Sequence, residues 1–283
     1  MTAGAIPMSQ FDLHSHTTHS DGTLTPADLV RRAKNAGVDV LAVTDHDVTS
    51  GLAEAGAEAE RVGLRLLPGV EVSVTWEGTT IHVVGLGIEA DTPALQAGLA
   101  RLREFRAWRA GEIGRRLERA GIGGAEEGAR ARAKGLLVSR THFGRFLVDA
   151  GHARDMGDAF KRYLGNGRPG YVPGQWAGLS EAVGWIRAAQ GHAVIAHPAR
   201  YKLGTGRLRR LFGEFRECGG EAIEVVSGSH SRDDYHRFAQ FAREFDFHAS
   251  CGSDFHGPET PWIELGRLPA LPDGCTPVWR LWE

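Results

Sequence analysis

The sequence of 283 residues has little cysteine, no long hydrophobic run and a small net charge. Its three cysteines, Cys218, Cys251 and Cys275, are odd in number and widely spaced, which argues against a disulfide framework and a cysteine-type zinc site. The absence of about 18 consecutive apolar residues argues against a transmembrane helix. Residues 1–9 lack the basic and apolar pattern of a signal peptide. We therefore expect a cytoplasmic protein without a membrane partner or an evident obligate protein partner.

The net charge of −2 conceals an asymmetry along the chain. Residues 99–170 hold 16 Lys+Arg against 8 Asp+Glu, so the remainder of the chain is acidic. One interpretation is an arginine-rich, solvated helical surface. The other is a segment that attracts a polyanion.

Near the N-terminus, a short apolar strand runs into the histidines His14 and His16, and Asp21 follows in the next loop. Residues two apart on a strand share a face, so both imidazoles can point at one metal ion. Asp21 can reach the same place from the loop. The motif becomes specific if other strands also end in metal ligands.

Strands and helices alternate through most of the chain. Thr25 and Pro26 are typical of a helix start, Ser180 is expected to cap a later helix, and a hairpin is predicted to turn near Gly78. Further predicted strands cover residues 38–44, 64–70, 193–196, 222–226 and 248–251. This alternation is typical of a parallel sheet with covering helices.

A helical stretch interrupts the alternation. Apolar residues follow a helical period from Leu95 to Leu117, and further helices are predicted at 141–150, capped by Ser139, and at 155–164. We predict a barrel formed by residues 1–98 and 171–283, with residues 99–170 as a basic helical insertion that covers the substrate.

Potential metal ligands stand at the ends of these strands or on the hairpin. In a parallel barrel the carboxyl ends of all strands meet on one face, where sites are built. Imidazoles and carboxylates without thiolates suit zinc, manganese or iron rather than calcium. Nine ligands are too many for one ion, so two or three metals are expected. The candidates are His14, His16, Asp21, His46, Glu71, His82, His197, Asp254 and His256.

Such a cluster predicts phosphoryl transfer. Metal ions about 3.5–4 Å apart activate a bridging water and stabilise the entering and leaving oxygens. We expect a metal-bridging hydroxide held by Glu71 and Asp254, and no side-chain nucleophile is required. Ser15, Ser20 and Ser253 have no evident triad partners.

The ordered set of motifs resembles the polymerase-and-histidinol-phosphatase (PHP) superfamily over residues 11–257. The resemblance implies an α/β fold, a distorted seven-stranded (β/α) barrel, with up to three ions, most commonly Mn²⁺, with Fe²⁺ or Zn²⁺ as alternatives. It also implies three ligand sets: His14, His16, Glu71 and Asp254; Glu71, His82 and His197; and Asp21, His46 and His256. His19 has no place in the pattern, and we expect it to point elsewhere.

The segment from Ser139 to Pro173 is similar to the inserted helical domain of one subgroup, the TrpH-like or RNase AM-like proteins. That subgroup includes phosphatases of nucleoside 3′,5′-bisphosphates, and some members act as 5′-to-3′ exoribonucleases on short RNA. The resemblance therefore implies a nucleotide or short RNA substrate, such as adenosine 3′,5′-bisphosphate converted to AMP. The basic composition of the insertion agrees with such a substrate.

Three residues are candidates for contacting the substrate. Arg140 heads an insertion helix and Arg200 follows His197, and either guanidinium can hold a phosphate through two hydrogen bonds. His230 follows the sixth strand, where it is either a phosphate contact or an ordinary loop histidine.

Other functions remain open at this point. A histidinol-phosphate phosphatase would use the same metal chemistry, but a small substrate with one phosphate needs no basic covering segment. A metal-dependent amidohydrolase also opens with His-x-His, although its bridging lysine is absent here. A non-catalytic metal-binding module would be expected to have lost several ligands.

Overall fold

Seven strands form one sheet that nearly closes into a barrel in the computed structural model, which describes residues 10–283. Their order in the sheet follows their order in the chain. The strands are β1 (Phe11–Asp12), β2 (Val40–Val43), β3 (Arg65–Trp76), β4 (Thr79–Leu86), β5 (His192–Ile195), β6 (Ala222–Ser227) and β7 (His248–Gly252). The predicted α/β barrel is confirmed, whereas the expectation about a signal peptide concerns residues outside the described ones.

Nine α-helices lie within the described residues. They are α1 (Pro26–Asn35), α2 (Leu52–Val62), α3 (Pro93–Arg119), α4 (Ala125–Arg132), α5 (Arg140–Asp149), α6 (Met156–Ala159), α7 (Leu179–Ala188), α8 (Thr205–Glu217) and α9 (Arg232–Glu244). A π-helical turn (Phe160–Leu164) continues α6, and 3-10 turns cover Pro198–Tyr201 and Val278–Leu281. Within residues 10–283, no helix is both long enough and apolar enough to cross a membrane.

The helix caps show where sequence reasoning succeeded and failed. The predicted caps at Thr25 and Ser139 are confirmed, because each hydroxyl accepts a hydrogen bond from a backbone N–H of the first turn. The cap predicted at Ser180 is wrong. Helix α7 begins earlier, after Gly178, whose N–H donates to the Glu181 carboxylate at 2.9 Å.

Strand β4 runs against both of its neighbours, while the other pairs in the sheet are parallel. The tight turn at Glu77 and Gly78 returns the chain directly from β3 to β4. The reversal places the first half of β4 beside the second half of β3, with His82 opposite Ser73. His82 therefore reaches the same barrel mouth as residues at the carboxyl ends of the parallel strands.

Backbone hydrogen bonds join the segments that follow β1 and β7. The N–H of Asp254 donates to the carbonyl of His14 at 2.9 Å, and that of His16 donates to the carbonyl of Phe255 at 2.9 Å. Gly252 permits this approach, because a Cβ there would lie 2.3 Å from the Cβ of His14. The first and last strands thus bring the candidate ligands that follow them to one place.

Helix α3 connects two hydrophobic clusters. Leu95, Leu99 and Leu102 pack into the barrel core, whereas Ala110 and Leu117 belong to a separate cluster formed with α4 and α5. The division between the two clusters therefore falls inside α3, beyond the boundary predicted at residue 99. Helix α4 was not among the predicted helices.

A close contact between α3 and α7 yields a stability prediction. A Cβ on Gly98 would lie 2.3 Å from the indole of Trp185, so Gly98→Ala forces the ring to move. We expect the free energy of unfolding to fall by about 1–3 kcal/mol, measured by urea denaturation. Gly184→Ala, on the open face of α7 with no atom within 4 Å of its Cβ, is the control and should not destabilise. Equal effects of the two substitutions would contradict the packing argument.

Candidate metal centre

All nine predicted metal ligands lie together at one mouth of the barrel. They form overlapping groups whose donor atoms lie within 4.8 Å of one another. The groups are His16, Asp21, His46 and His256; His14, Glu71 and His197; His14, His16 and Asp254; and His46, Glu71 and His82. The structure thus brings the nine side chains together, while their role as ligands stays a prediction.

The Glu71 carboxylate lies at the centre of the cluster and is fully buried. Its oxygens lie 2.7 Å from Nδ1 of His46, 2.9 Å from Nδ1 of His82 and 3.0 Å from Nε2 of His197. Nε2 of His14 lies 3.3 Å away. Nε2 of His16 lies 3.4 Å away, so this carboxylate faces five imidazoles from four segments, which is the arrangement of a bridging ligand.

Several donor atoms in the described cluster lack a hydrogen-bond partner. Oδ1 of Asp21, Nδ1 of His46, Oε2 of Glu71 and Nδ1 of His197 are buried without a hydrogen bond of suitable geometry, although Nδ1 of His46 and Oε2 of Glu71 lie 2.7 Å apart. Nε2 of His14 and Nε2 of His16 lie only 3.1 Å apart. Buried polar atoms are normally paired, so converging donors without protein partners fit divalent metal ions.

Electrostatics favour ionised carboxylates and two neutral imidazoles in the cluster. Burial alone would raise the pKa values of Asp21, Glu71 and Asp254, but the surrounding histidines hold them well below the usual range. Burial lowers the pKa of His16 to about 3 and that of His82 to about 4. The carboxylates are therefore ionised and these two imidazoles neutral, as metal binding requires.

His256 differs from His16 and His82. Burial alone would lower its pKa, but the charges of Asp21 and Asp254 raise it to about 9. The acidic side of the cluster thus attracts a cation at this position.

Comparisons with known proteins identify the family. The PHP domain family matches residues 12–164 of the chain. A 3′,5′-nucleoside bisphosphate phosphatase from Chromobacterium violaceum is 51% identical over 274 residues, which are 96% of this chain and 96% of the relative. The 5′-3′ exoribonuclease Rnm of Escherichia coli is 49% identical over 96% of this chain and 94% of the relative. The chain belongs to the PHP domain family.

A solved structure agrees with this assignment. An amidohydrolase from Chromobacterium violaceum, solved with bound sulfate and no metal, superposes with a TM-score of 0.93. It is 50% identical, and the match covers 96% of this chain and 95% of that one. As a PHP-family protein with such relatives, the chain is a metal-dependent hydrolase of phosphoric esters, as the sequence predicted.

The cluster of candidate metal ligands in this PHP-family chain opens into a cavity lined by four arginines, Arg106, Arg109, Arg140 and Arg200. Phe160 and Trp176 also line it. The cavity therefore combines positive charge with aromatic surface. No lysine lines it among the described residues, so the bridging lysine of the amidohydrolase alternative is absent from the cavity as well.

The predicted substrate residues are placed differently. Arg140 and Arg200 lie on the cavity wall, but His230 does not. The His230 ring is buried, with Nδ1 3.1 Å from the carbonyl of Val225, and its Nε2 accepts from the N–H of Ala199 at 3.4 Å. His230 thus supports the turn that carries Arg200. His19, as expected, points away from the cluster, with Nδ1 2.7 Å from Oγ of Ser50.

Asp47 and two cavity arginines were missed by sequence reasoning. Arg106 donates from Nε to Oδ2 of the buried Asp47 at 2.6 Å and stacks over Trp176. Arg109 donates to the carbonyl of Val172 and also stacks over Trp176. The available signal was the placement of Arg106 and Arg109 on the apolar face of α3, where an arginine is rarely buried without a partner.

Glu224 was also missed, although a glutamate inside the apolar strand β6 was a visible anomaly. Its Oε1 accepts a hydrogen bond from Nδ1 of His14 at 2.6 Å, and its Oε2 accepts one from the N–H of His197 at 2.6 Å. Burial alone would lower the pKa of His14, but Glu224 and nearby carboxylates raise it well above its usual value. The hydrogen bond to Glu224 holds a proton on Nδ1, so a metal ion that replaces the other ring proton would bind at Nε2.

Glu224→Gln is expected to weaken metal binding by about tenfold to a hundredfold, measured as retained metal after dialysis. The backbone N–H of His197 must take the amide oxygen, so the amide NH₂ then faces Nδ1 of His14. That nitrogen becomes an acceptor, and the proton moves to Nε2, where it blocks a metal ion. Glu221→Gln, whose carboxylate contacts only the partly exposed His192, is the control. Full metal retention in Glu224→Gln would contradict this role.

Proposed function

We propose that this PHP-family chain removes phosphate from 3′,5′-bisphosphonucleotides, such as adenosine 3′,5′-bisphosphate, and acts as a 5′-3′ exoribonuclease on short RNA. The observation that carries the proposal is a cluster of nine candidate ligands that opens into a cavity lined by four arginines. The relatives named for these two activities share about half of the residues of this chain over nearly its whole length.

We infer that two or three divalent ions bind the cluster, with Mn²⁺ as the first choice and Fe²⁺ or Zn²⁺ as alternatives. His14, His16, Glu71 and Asp254 would hold the first ion, and Glu71, His82 and His197 the second. Asp21, His46 and His256 would hold the third. When bound, such ions supply an activated water and neutralise charge on the phosphoryl oxygens. Glu71 and Asp254 orient the centre from its buried side.

The cavity arginines have different tasks in this proposal. Arg200 donates to Asp254 at 2.6 Å and is half exposed, so it lies between the cluster and the entering phosphate. Arg140 has no carboxylate partner among the described residues, and its guanidinium lies over the Phe160 ring. Burial and the charges of Arg140 and Arg106 lower the pKa of Arg109 to about 9. An anion in the cavity would relieve this repulsion.

Residues 99–170, in this proposal, act as a basic cover over the barrel mouth. They contribute Arg106, Arg109 and Arg140 to the cavity. Removing phosphate from a bisphosphorylated nucleotide requires a second phosphate to be recognised, and these charges serve that purpose.

The three cysteines are free thiols. Free thiols are typical of proteins in a reducing compartment, which supports the predicted location in the cytoplasm.

The test of function is phosphate release by the manganese-loaded protein. We expect adenosine 3′,5′-bisphosphate to be hydrolysed much faster than AMP or histidinol phosphate, because only it offers a second phosphate to the cavity. Asp21→Ala and His197→Ala should each lose metal content and activity. Faster hydrolysis of histidinol phosphate would favour the histidinol-phosphatase alternative. Tight RNA binding without turnover in the wild-type protein would favour a non-catalytic module.

The role of Arg140 can be tested by substrate comparison. We expect Arg140→Gln to lower kcat/KM for adenosine 3′,5′-bisphosphate by about 10- to 100-fold, since a charge-assisted hydrogen bond contributes about 1.5–3 kcal/mol. Hydrolysis of adenosine 5′-monophosphate and of adenosine 3′-monophosphate, which each carry one phosphate, should change much less. Arg168→Gln, in the exposed part of the insertion, is the matched control. Equal losses on all three substrates would show that Arg140 does not read the second phosphate.

A further inference from the structure

The first turn of α5, in the helical insertion, contacts one of the candidate metal ligands on the barrel. Oγ of Ser139 donates to Oδ2 of Asp21 at 3.1 Å, and Oγ1 of Thr141 donates to the same oxygen at 3.0 Å. Nη2 of Arg145 donates to the backbone carbonyl of Asp21 at 2.9 Å. Three groups from one helical turn and its flanks thus hold a single aspartate.

These contacts give the two carboxylate oxygens of Asp21 different surroundings. Oδ2 takes both hydroxyl hydrogen bonds, whereas Oδ1 is buried and has no hydrogen-bond partner among the described residues. Oδ1 lies 3.3 Å from Nε2 of His256 and 3.8 Å from Nε2 of His46. A carboxylate held through one oxygen presents the other in a defined direction, which is how outer contacts orient a metal ligand.

The segment before α5 reinforces this arrangement. Gly135 lies so close to the loop of Asp21 that a Cβ there would be 2.6 Å from the carbonyl of Thr18. Nζ of Lys134 lies 3.5 Å from the carbonyl of Thr23. The insertion therefore packs against the ligand-bearing loop along its length, and the contact at Asp21 is part of a continuous surface.

We propose that Ser139 and Thr141 are positioning residues of the metal centre, which makes the helical insertion part of the site that Asp21, His46 and His256 form. This inference rests on the ligand assignment under the proposed function. It assigns the insertion a second task besides covering the substrate. Arg140 stands between the two hydroxyl residues and lines the cavity, so one helical turn contacts both the metal site and the substrate space.

The experiment is a Mn²⁺ titration of the full-length protein, followed by the electron paramagnetic resonance signal of free Mn²⁺. Thr141→Val removes one hydroxyl and keeps the side-chain shape. We expect one Mn²⁺ to bind about tenfold to a hundredfold more weakly, with the other ions unaffected. Thr141→Ser restores the hydroxyl and should restore the affinity.

Thr80→Val is the matched control, because Thr80 lines the same cavity but its hydroxyl contacts Trp176 instead of Asp21. It should bind Mn²⁺ like the wild type. If Thr141→Val proves too unstable to titrate, Ser139→Ala removes the other hydroxyl and should weaken the same ion.

Asp21→Ala separates the two ways in which the inference can fail. If Asp21→Ala loses one ion while Thr141→Val and Ser139→Ala bind Mn²⁺ like the wild type, the positioning role is wrong and the ligand assignment stands. If Asp21→Ala keeps every ion, the assignment of Asp21 and this inference both fall. The phosphate-release assay tests the reaction itself independently of either result.

Discussion

The buried carboxylate of Glu71 is the interaction on which the rest of the structure depends. An ionised carboxylate in a protein interior is costly unless opposite charges or hydrogen-bond donors surround it. Here the surroundings are imidazoles from four separate segments, namely strand β4 and the loops after β1, β2 and β5. The barrel is the scaffold that lets these segments meet at one point, and the reversed strand β4 adds His82 to them.

A second layer of buried charge fixes the cluster in place. Glu224 accepts hydrogen bonds from the ring of His14 and from the backbone N–H of His197. Asp45 accepts hydrogen bonds from Thr17 and Ser20, in the loop that carries Asp21. Asp47 joins Ser73 on β3 to Arg106 on α3. Each of these carboxylates connects two chain segments, and Asp47 connects the candidate metal centre to helix α3.

Carboxylates and arginines line the same cavity above the cluster. Carboxylates lie on its floor and arginines on its wall, and the pair between Arg200 and Asp254 joins the two. Cations bound at the floor and a phosphorylated ligand against the wall would satisfy both surfaces at once. Three of the four cavity arginines, Arg106, Arg109 and Arg140, come from the basic stretch of residues 99–170.

By itself, the sequence was sufficient to predict the α/β barrel, the nine candidate ligands and the phosphoesterase family, because strand ends are local features and ligand residue types are visible in order. The roles of Glu224, Asp47 and Arg106 depended on tertiary structure, since buried pairs join residues far apart in the chain. His230 shows the opposite case, in which a suitable residue at a strand end packs behind the site. Only the folded arrangement of α5 beside the loop of Asp21 placed Ser139 and Thr141 against this candidate metal ligand, because no spacing in the sequence encodes a contact across about 120 residues.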